Sequence, residues 1–182
     1  MSLPTDAPWF PILIQILGVI GIIAAIIAFQ CKSHRRVMLF RTMNETFFGI
    51  QFFLLGAYTG VAMNLIGCIR NILFAKNVQK RRSNRPEILV FCGLFTLFGI
   101  LTWEGPKSIL IIVAKILSTA AYGNKNLLIV RSVILVTATS WLIYDLLAGS
   151  ITGAICESFT LGSIVVAILR YHLLPLLKKR AR

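Results

Sequence analysis

Two polar side chains, Asn64 and Glu157, stand within long apolar stretches of a chain of 182 residues. Two large aromatic residues, Phe48 and Trp141, precede them by the same sixteen positions. An amide donates and accepts hydrogen bonds, and a carboxylate accepts them or takes up a proton. Aromatic faces add flat surfaces on which a ligand can stack. Together these residue types predict a binding site for a small polar molecule, in which Glu157 can also bind a cation or a coupled proton.

The four residues belong to a repeated pattern. The segment LLGAYTGVAMN at 54–64 aligns without a gap with LAGSITGAICE at 147–157, at an offset of 93 residues. Two glycines and a threonine are shared, whereas the last residue changes from Asn64 to Glu157. At the same offset, Phe48 corresponds to Trp141. The sequence therefore predicts two related halves, each of which contributes one aromatic and one polar side chain to a common site.

The apolar composition predicts a membrane protein. Hydrophobic residues make up 57% of the chain, compared with about 45–50% in soluble domains. Crossing a bilayer takes ~17–25 apolar residues, and seven stretches near this length can be drawn. They cover about 10–30, 37–56, 58–75, 87–103, 106–121, 127–147 and 150–170. We predict an all-α integral membrane fold with seven transmembrane helices.

The repeat indicates how the seven helices are arranged. Three helices leave the chain on the opposite side of the membrane, so a second copy in the same orientation needs one additional span. The sequence thus predicts a 3+1+3 arrangement of two parallel triple-helix-bundle repeats. Residues 1–80 form the first repeat with its basic inner loop, 81–104 the inverter helix, and 105–182 the second repeat with a basic tail.

The predicted turns at Gly56 and Gly149 set the depth of the site. Phe48, Asn64, Trp141 and Glu157 each lie eight residues from one of these glycines. A helix rises ~1.5 Å per residue, which places the four side chains ~12 Å below the turns. Half of a hydrocarbon core is ~15 Å thick. The site is therefore expected close to the middle of the membrane.

The net charge of +13 is explained by the orientation of the protein in a membrane rather than by nucleic-acid binding. Most basic residues fall in four places, 31–36, 76–85, Lys125 and 178–182, all between or after apolar stretches. With seven spans these places share one side of the membrane, which the positive-inside rule assigns to the cytoplasm. We predict a multi-pass protein with its N-terminus outside and its C-terminus in the cytoplasm. Its basic inner loops are expected to contact anionic membrane lipid.

The intramembrane polar residues allow both structural and functional interpretations. Glu45 has Arg41 one turn before it, so a local ion pair accounts for Glu45 at least as well as proton or cation coupling does. Glu157 has no such local cation, and the cost of burying a carboxylate favours a function. The structural alternative for Glu157 is a protonated carboxyl group that forms a hydrogen bond with a nearby hydroxyl group. Asn64 can contact a ligand or join two helices, and Trp141 can belong to the core.

Four further charged residues are expected to reach an interface. Arg70, Lys115 and Arg131 lie in the inner half of their spans, where long side chains can extend toward water. Asp145 lies near the outer end of its span and is expected to reach the headgroups. None of the four is predicted to take part in the site.

The sequence indicates neither a metal site nor an enzyme. The four cysteines form no CxxC motif and no cluster with a histidine. The chain contains no recognisable nucleophile–base arrangement and no phosphate-binding loop. We therefore expect no catalytic residue, no cofactor and no metal ion. The sequence does not determine the oligomeric state, and it is compatible with a homo-oligomer.

The segments FFLLGAYTGVAMNLIGCIRN (52–71) and SWLIYDLLAGSITGAICESF (140–159) resemble those of YgjV-type bacterial inner-membrane proteins. This resemblance covers nearly the whole chain. The plan of two three-helix bundles joined by an inverter helix also resembles the SWEET, SemiSWEET and PQ-loop superfamily, and the vitamin transporters of the PnuC type. The resemblance implies a pocket between the two bundles.

In the sugar and vitamin carriers of this kind, an aromatic–Asn pair from each repeat lines the pocket. By residue type only Trp141 and Asn64 match this pattern, whereas Phe48 and Glu157 depart from it. The Pro-Gln motif at the inner end of the first helix of PQ-loop proteins is replaced here by Phe29-Gln30.

The resemblance thus implies a carrier of a small polar metabolite in the bacterial inner membrane. The same superfamily contains a seven-helix receptor for retention signals, so fold alone does not decide the function. The alternative is a non-transporting membrane receptor or assembly factor. Very short predicted outer loops, which leave little surface for a protein ligand, favour the carrier.

Overall fold

The structure, a computed structural model, describes residues 8–30, 34–80, 84–121 and 127–168. Within these ranges it is entirely helical and has seven helices, as the sequence predicted. The predicted basic residue Lys125 and tail 178–182 lie outside the described residues, as do parts of 31–36 and 76–85. The helices are α1 (Trp9–Gln30), α2 (His34–Leu54), α3 (Tyr58–Gln79), α4 (Arg85–Leu101), α5 (Lys107–Ala121), α6 (Leu127–Ala148) and α7 (Ile151–Ile168).

The described helices are apolar to different extents. Two have the length and hydropathy of a membrane span, Trp9–Ala28 within α1 and Tyr58–Asn77 within α3. The segments Ser132–Ala148 and Ile151–Val166 are apolar but shorter. Many large apolar side chains point outward, with Leu89 as much as 76% exposed. An extended apolar exterior is unfavourable in water and suits a lipid environment.

The start of α4 follows directly from its sequence. Pro86 lies in the first turn, where its missing N–H removes no helical hydrogen bond. Glu87 in the same turn lies at the positive end of the helix dipole. Its Oε1 also accepts a hydrogen bond from Asn77 Nδ2 of α3 at 2.8 Å. This bond holds the end of α3 close to the start of α4.

The turns after α2 and α6 have the same geometry. Gly56 (φ +71°) and Gly149 (φ +76°) both adopt the left-handed conformation, which glycine reaches without steric cost. In each turn, the N–H of the residue after the glycine donates to the carbonyl five residues before it, at 2.8 Å. This is the long hydrogen bond of a Schellman motif, which ends a helix. The repeated sequence around the two glycines therefore forms the same backbone structure twice.

This geometry predicts the effect of a methyl group at the second turn. Gly149→Ala is expected to destabilise the protein by ~1 kcal/mol, because a residue with a Cβ is strained at positive φ. The loss comes from conformation alone, since no atom lies within 4 Å of the added Cβ. Gly93 in α4 is the matched control, because its surroundings are equally open but its backbone is helical. Thermal unfolding in detergent micelles should show that Gly93→Ala is neutral or stabilising, and equal losses for both variants would contradict the explanation.

Helices that follow one another in the chain pack into two groups. In the first, α2 packs on α1 and α3, and in the second, α6 packs on α5 and α7. Helix α4 contacts α3 and α5, and the groups also meet where α1 packs on α7 and α3 on α5. The interior contains Phe52, Met63, Phe95, Ile111 and Tyr144, each at most 1% exposed.

Buried hydrogen bonds join the two groups near the glycine turns. Gln51 Nε2 of α2 donates to Thr152 Oγ1 of α7 at 2.7 Å, and Ser150 Oγ donates to Gln51 Oε1 at 2.9 Å. At the start of α3, the Gly60 N–H donates to the Tyr144 hydroxyl of α6 at 2.9 Å. Because buried polar groups need partners, these bonds define how the two groups of helices meet at this end.

Candidate functional site

A cavity of about 200 Å³ lies between the two groups of helices. All four residues predicted for the site, Phe48, Asn64, Trp141 and Glu157, line this cavity, and so does Glu45. The structure therefore brings the predicted residues of both repeated segments together. They come from α2, α3, α6 and α7, so the position of each depends on how the two groups of helices pack.

Phe48 and Trp141 belong to one aromatic wall. The Phe52 ring lies between them, with its centroid 6.4 Å from that of Phe48 and 6.1 Å from that of Trp141. The Tyr144 ring meets Phe52 and Trp141 edge-on at 5.5 and 5.8 Å. Phe52 and Tyr144 are buried, whereas Trp141 is half-buried and faces the cavity. Phe52 was not predicted for the site, although it lies one helical turn after Phe48 and hence on the same face.

Asn64 has an unsatisfied donor in the cavity wall. Its Oδ1 accepts a hydrogen bond from Lys115 Nζ at 3.4 Å, and the residue is 5% exposed. Its Nδ2 has no hydrogen-bond partner among the described residues. A buried donor without a partner is costly, and an acceptor on a bound molecule would remove that cost. Glu157, the other predicted polar residue, is half-buried in the part of the wall that α7 provides.

Glu45 belongs to a buried cluster of charges. Its Oε1 lies 3.1 Å from Arg70 Nη2 and 3.3 Å from Lys115 Nζ, and Arg70 Nη1 donates to Thr119 Oγ1 at 2.9 Å. The prediction that Arg70 and Lys115 extend to the inner interface is wrong, because they are only 1% and 5% exposed. The cluster joins α2, α3 and α5. The position of Glu45 four residues after Arg41 in the sequence did not indicate Arg70 and Lys115 as its partners.

Asp145 is also buried, so the prediction that it reaches the headgroups is wrong. The residue is 3% exposed and lines the cavity. It packs against Gly153 of α7, where an added Cβ would lie 2.6 Å from Asp145 Cγ. Its Oδ1 has no hydrogen-bond partner in the part of the chain that the structure describes. The missing side chain at Gly153 thus makes room for a carboxyl group inside the bundle.

The cavity gathers charges of both signs. Among the described residues, three of the chain's six acidic residues line it, together with three basic ones. Charges inside a helical bundle carry a desolvation cost unless they pair with each other or bind something. The Lys115 Nζ lies 5.2 Å from the Trp141 ring centroid, a cation–π distance. Such a surface suits a charged or strongly polar small ligand. The charged lining residues among those described are Arg41, Glu45, Arg70, Lys115, Asp145 and Glu157.

Metal ligands and disulfides do not feature in the described ranges. No group of three or more His, Cys, Asp or Glu side chains there is arranged to hold a metal ion. Cys68, Cys92 and Cys156 are free thiols, and Cys31 lies outside the described residues.

Seven helices, an apolar exterior and charged residues around an internal cavity are the features of an α-helical membrane protein. A family model agrees with this class and narrows it. The model of the Imp-YgjV family, described as bacterial inner membrane protein, matches residues 12–174. The chain belongs to this family, as the sequence predicted. Inner membrane protein YgjV of Escherichia coli (strain K12) is 27% identical over 159 residues, which cover 87% of this chain and 84% of that protein. No solved structure matches the chain.

Proposed function

We propose that the chain is a carrier of a small polar metabolite across the bacterial inner membrane, and that the cavity is its substrate site. The volume of about 200 Å³ exceeds the roughly 150 Å³ of an engineered cavity that holds benzene. It is smaller than the ~300–1,000 Å³ of pockets that bind drug-sized ligands. Size and polarity together support a small metabolite as the ligand.

One observation carries this proposal. Fourteen of the twenty described lining residues form seven pairs whose members are 93 residues apart. Two related halves around a central axis produce such a pattern, because equivalent positions then face one another across the axis. The site would therefore lie at the repeat interface, as it does in carriers built from internal repeats. The pairs are Ala25/Ser118, Arg41/Ile134, Asn44/Thr137, Glu45/Ala138, Phe48/Trp141, Phe52/Asp145 and Asn64/Glu157.

Reciprocal hydrogen bonds support the same arrangement. Gln51 and Tyr144 are also 93 residues apart. Gln51 bonds Thr152 near the start of α7, and Tyr144 bonds Gly60 near the start of α3. Each half thus uses the same position to contact the equivalent helix of the other half. These contacts support a 3+1+3 arrangement of the SWEET and PQ-loop kind, with α4 as the inverter helix.

In this proposal the helices cross the membrane seven times, with the N-terminus outside and the basic segments in the cytoplasm beside anionic lipid. We expect green fluorescent protein fused to Arg182 to fluoresce, since it folds in the cytoplasm. Alkaline phosphatase fused at the same place should be inactive, but it should be active when fused after Glu104 in the proposed outer turn. Phosphatase activity at the C-terminus would contradict the proposed orientation.

The carrier proposal is tested by ligand binding followed by transport. Thermal unfolding of the purified protein would be measured against sugars, nucleosides, vitamins, amino acids, amines and polyamines. A ligand near ten times its Kd should raise Tm by about 3 °C. Trp141→Ala should abolish this shift, because the half-buried indole forms part of the cavity wall. Labelled ligand should then exchange across liposomes that contain the protein.

Trp103→Ala is the matched control, since Trp103 is 49% exposed in the turn after α4 and should not affect binding. Glu157→Gln tests the part of the cavity wall that α7 provides. Unchanged ligand binding and unchanged pH dependence of binding would exclude the predicted role of Glu157. If no ligand shifts Tm and no compound is exchanged, the carrier proposal fails. The receptor or assembly-factor alternative would then be preferred.

A further inference from the structure

The charges around the cavity lie on two different sides of it. Asp145 and Glu157 come from α6 and α7, four and eight residues from the glycine turn between these helices, or ~6 and ~12 Å along the helix axis. Arg41, Arg70 and Lys115 come from α2, α3 and α5. Two acids thus lie on the side that α6 and α7 provide, and the cations lie on the side that α2, α3 and α5 provide.

Among the described residues, the side formed by α2, α3 and α5 carries more positive than negative charge. Arg70 and Lys115 share the carboxylate of Glu45. The other oxygen of that carboxylate, Oε2, packs against Gly67. Next to this cluster, Asn64 presents an Nδ2 donor that has no partner in the described ranges. This side of the cavity therefore offers positive charge and a free hydrogen-bond donor, which match a carboxylate.

The side formed by α6 and α7 has the opposite character. Asp145 is 3% exposed, and its Oδ1 is an acceptor without a partner among the described residues. Glu157 adds a second carboxyl group to the same part of the wall. A buried acceptor beside a second acid matches a ligand that carries hydrogen-bond donors and positive charge. An ammonium group has both properties.

The repeat does not impose these charges. The equivalent of Asp145 in the first half is Phe52, and the equivalent of Glu157 is Asn64. Lys115 corresponds in the same way to Ile22. At these positions, residues 93 apart in the two halves therefore differ in charge. A ligand with two different ends would account for such differences.

We propose that the ligand of the cavity is a zwitterion, with a cationic amine-type group toward Asp145 and Glu157 and a carboxylate toward Lys115 and Asn64. This inference rests on the proposed function and specifies its substrate class. Among the described residues that line the cavity, three are basic and three are acidic, so their formal charges cancel. A ligand with a net charge would disturb that balance in a medium of low dielectric constant, whereas a zwitterion preserves it.

The test compares molecules of one carbon skeleton. The probes are 4-aminobutyrate, which carries both charges, butyrate, which lacks the amine, and butylamine, which lacks the carboxylate. Glycine and 6-aminohexanoate vary the separation of the charges. At least one of the three zwitterions should raise Tm by about 3 °C near ten times its Kd. The two singly charged analogues should shift Tm by less than a third of this amount at the same concentration.

Single substitutions on the two sides of the cavity locate the two charged groups of the ligand. Asp145→Asn and Lys115→Gln should each weaken binding of the zwitterion about tenfold or more. If Lys115→Gln lowers the yield of folded protein, Asn64→Asp provides a near-isosteric change that repels the carboxylate. Glu87→Gln, an acid in α4 bonded to Asn77, is the control and should leave binding unchanged.

The outcomes separate this inference from the carrier proposal. Butyrate or butylamine binding as well as the zwitterions would overturn the inference. So would an absence of zwitterion binding while another compound binds and depends on Trp141, a result that would leave the carrier proposal intact. Failure of every compound to bind or exchange would overturn both.

Discussion

Glu45→Gln is expected to destabilise the protein by ~3–5 kcal/mol, the range observed when one partner of a buried ion pair is removed. In the native structure the Glu45 carboxylate lies 3.1 Å from Arg70 and 3.3 Å from Lys115. Both basic residues are at least 95% buried, so water cannot solvate the two cations once they have lost the carboxylate. The measurement is chemical or thermal unfolding in detergent micelles.

A double variant separates charge from packing at this cluster. Glu45→Gln with Lys115→Gln removes one charge of each sign and should recover more than half of the stability lost in Glu45→Gln alone. Glu104→Gln is the control, because the Glu104–Lys107 pair at 3.3 Å is partly exposed and should contribute less than about 1 kcal/mol. Additive losses in the double variant would show that the buried charge balance does not determine stability.

Gly18→Ala is the second substitution with a large expected effect, a loss of ~1–3 kcal/mol from overpacking. An added Cβ in α1 would overlap the Thr152 hydroxyl and lie 2.6 Å from Thr152 Cβ and 2.7 Å from Gln51 Nε2. Because Thr152 Cβ is close to the α7 backbone, a rotamer change cannot relieve the contact. Helices α1 and α7 would have to separate, which would also disturb the bond between Gln51 and Thr152.

Gly93→Ala again serves as the control for Gly18→Ala, since nothing lies within 4 Å of a Cβ at that position. Replacing a glycine within an open helix by alanine should stabilise the protein by up to ~1 kcal/mol. Thermal unfolding of both variants would be compared with that of the native protein. A neutral result for Gly18→Ala would mean that the contact between α1 and α7 is looser than described.

The helices and the predicted site residues were accessible from sequence because their signals are local. Apolar stretches predicted the seven helices, and the segments around Gly56 and Gly149 predicted two turns that prove to have the same hydrogen bonds. The repeat offset then linked Phe48 with Trp141, and both line one cavity. In each case a pattern within a few residues, or one constant offset, carried the information.

Arg70, Lys115 and Asp145 were not predicted for the cavity. The positions of the two cations depend on contacts between helices far apart in the chain, and nothing near Lys115 in the sequence indicates that Glu45 is its partner. A local signal did exist for Asp145. It follows Trp141 by four positions, so helical periodicity puts it on the same face as a predicted site residue. Applying that rule would have indicated that Asp145 faces inward.

The balanced charges around the cavity also have an electrical consequence. A potential of 100 mV changes the energy of one elementary charge that crosses the membrane by ~2.3 kcal/mol. Three basic and three acidic side chains of the described residues line the cavity, and a zwitterion adds no net charge to them. When no ion is coupled to transport, membrane voltage would then neither drive nor oppose passage of the ligand. Flux would follow the concentration difference of the ligand, and uptake would continue unchanged in a depolarised cell. Uptake that falls on depolarisation would instead indicate a coupled proton or cation.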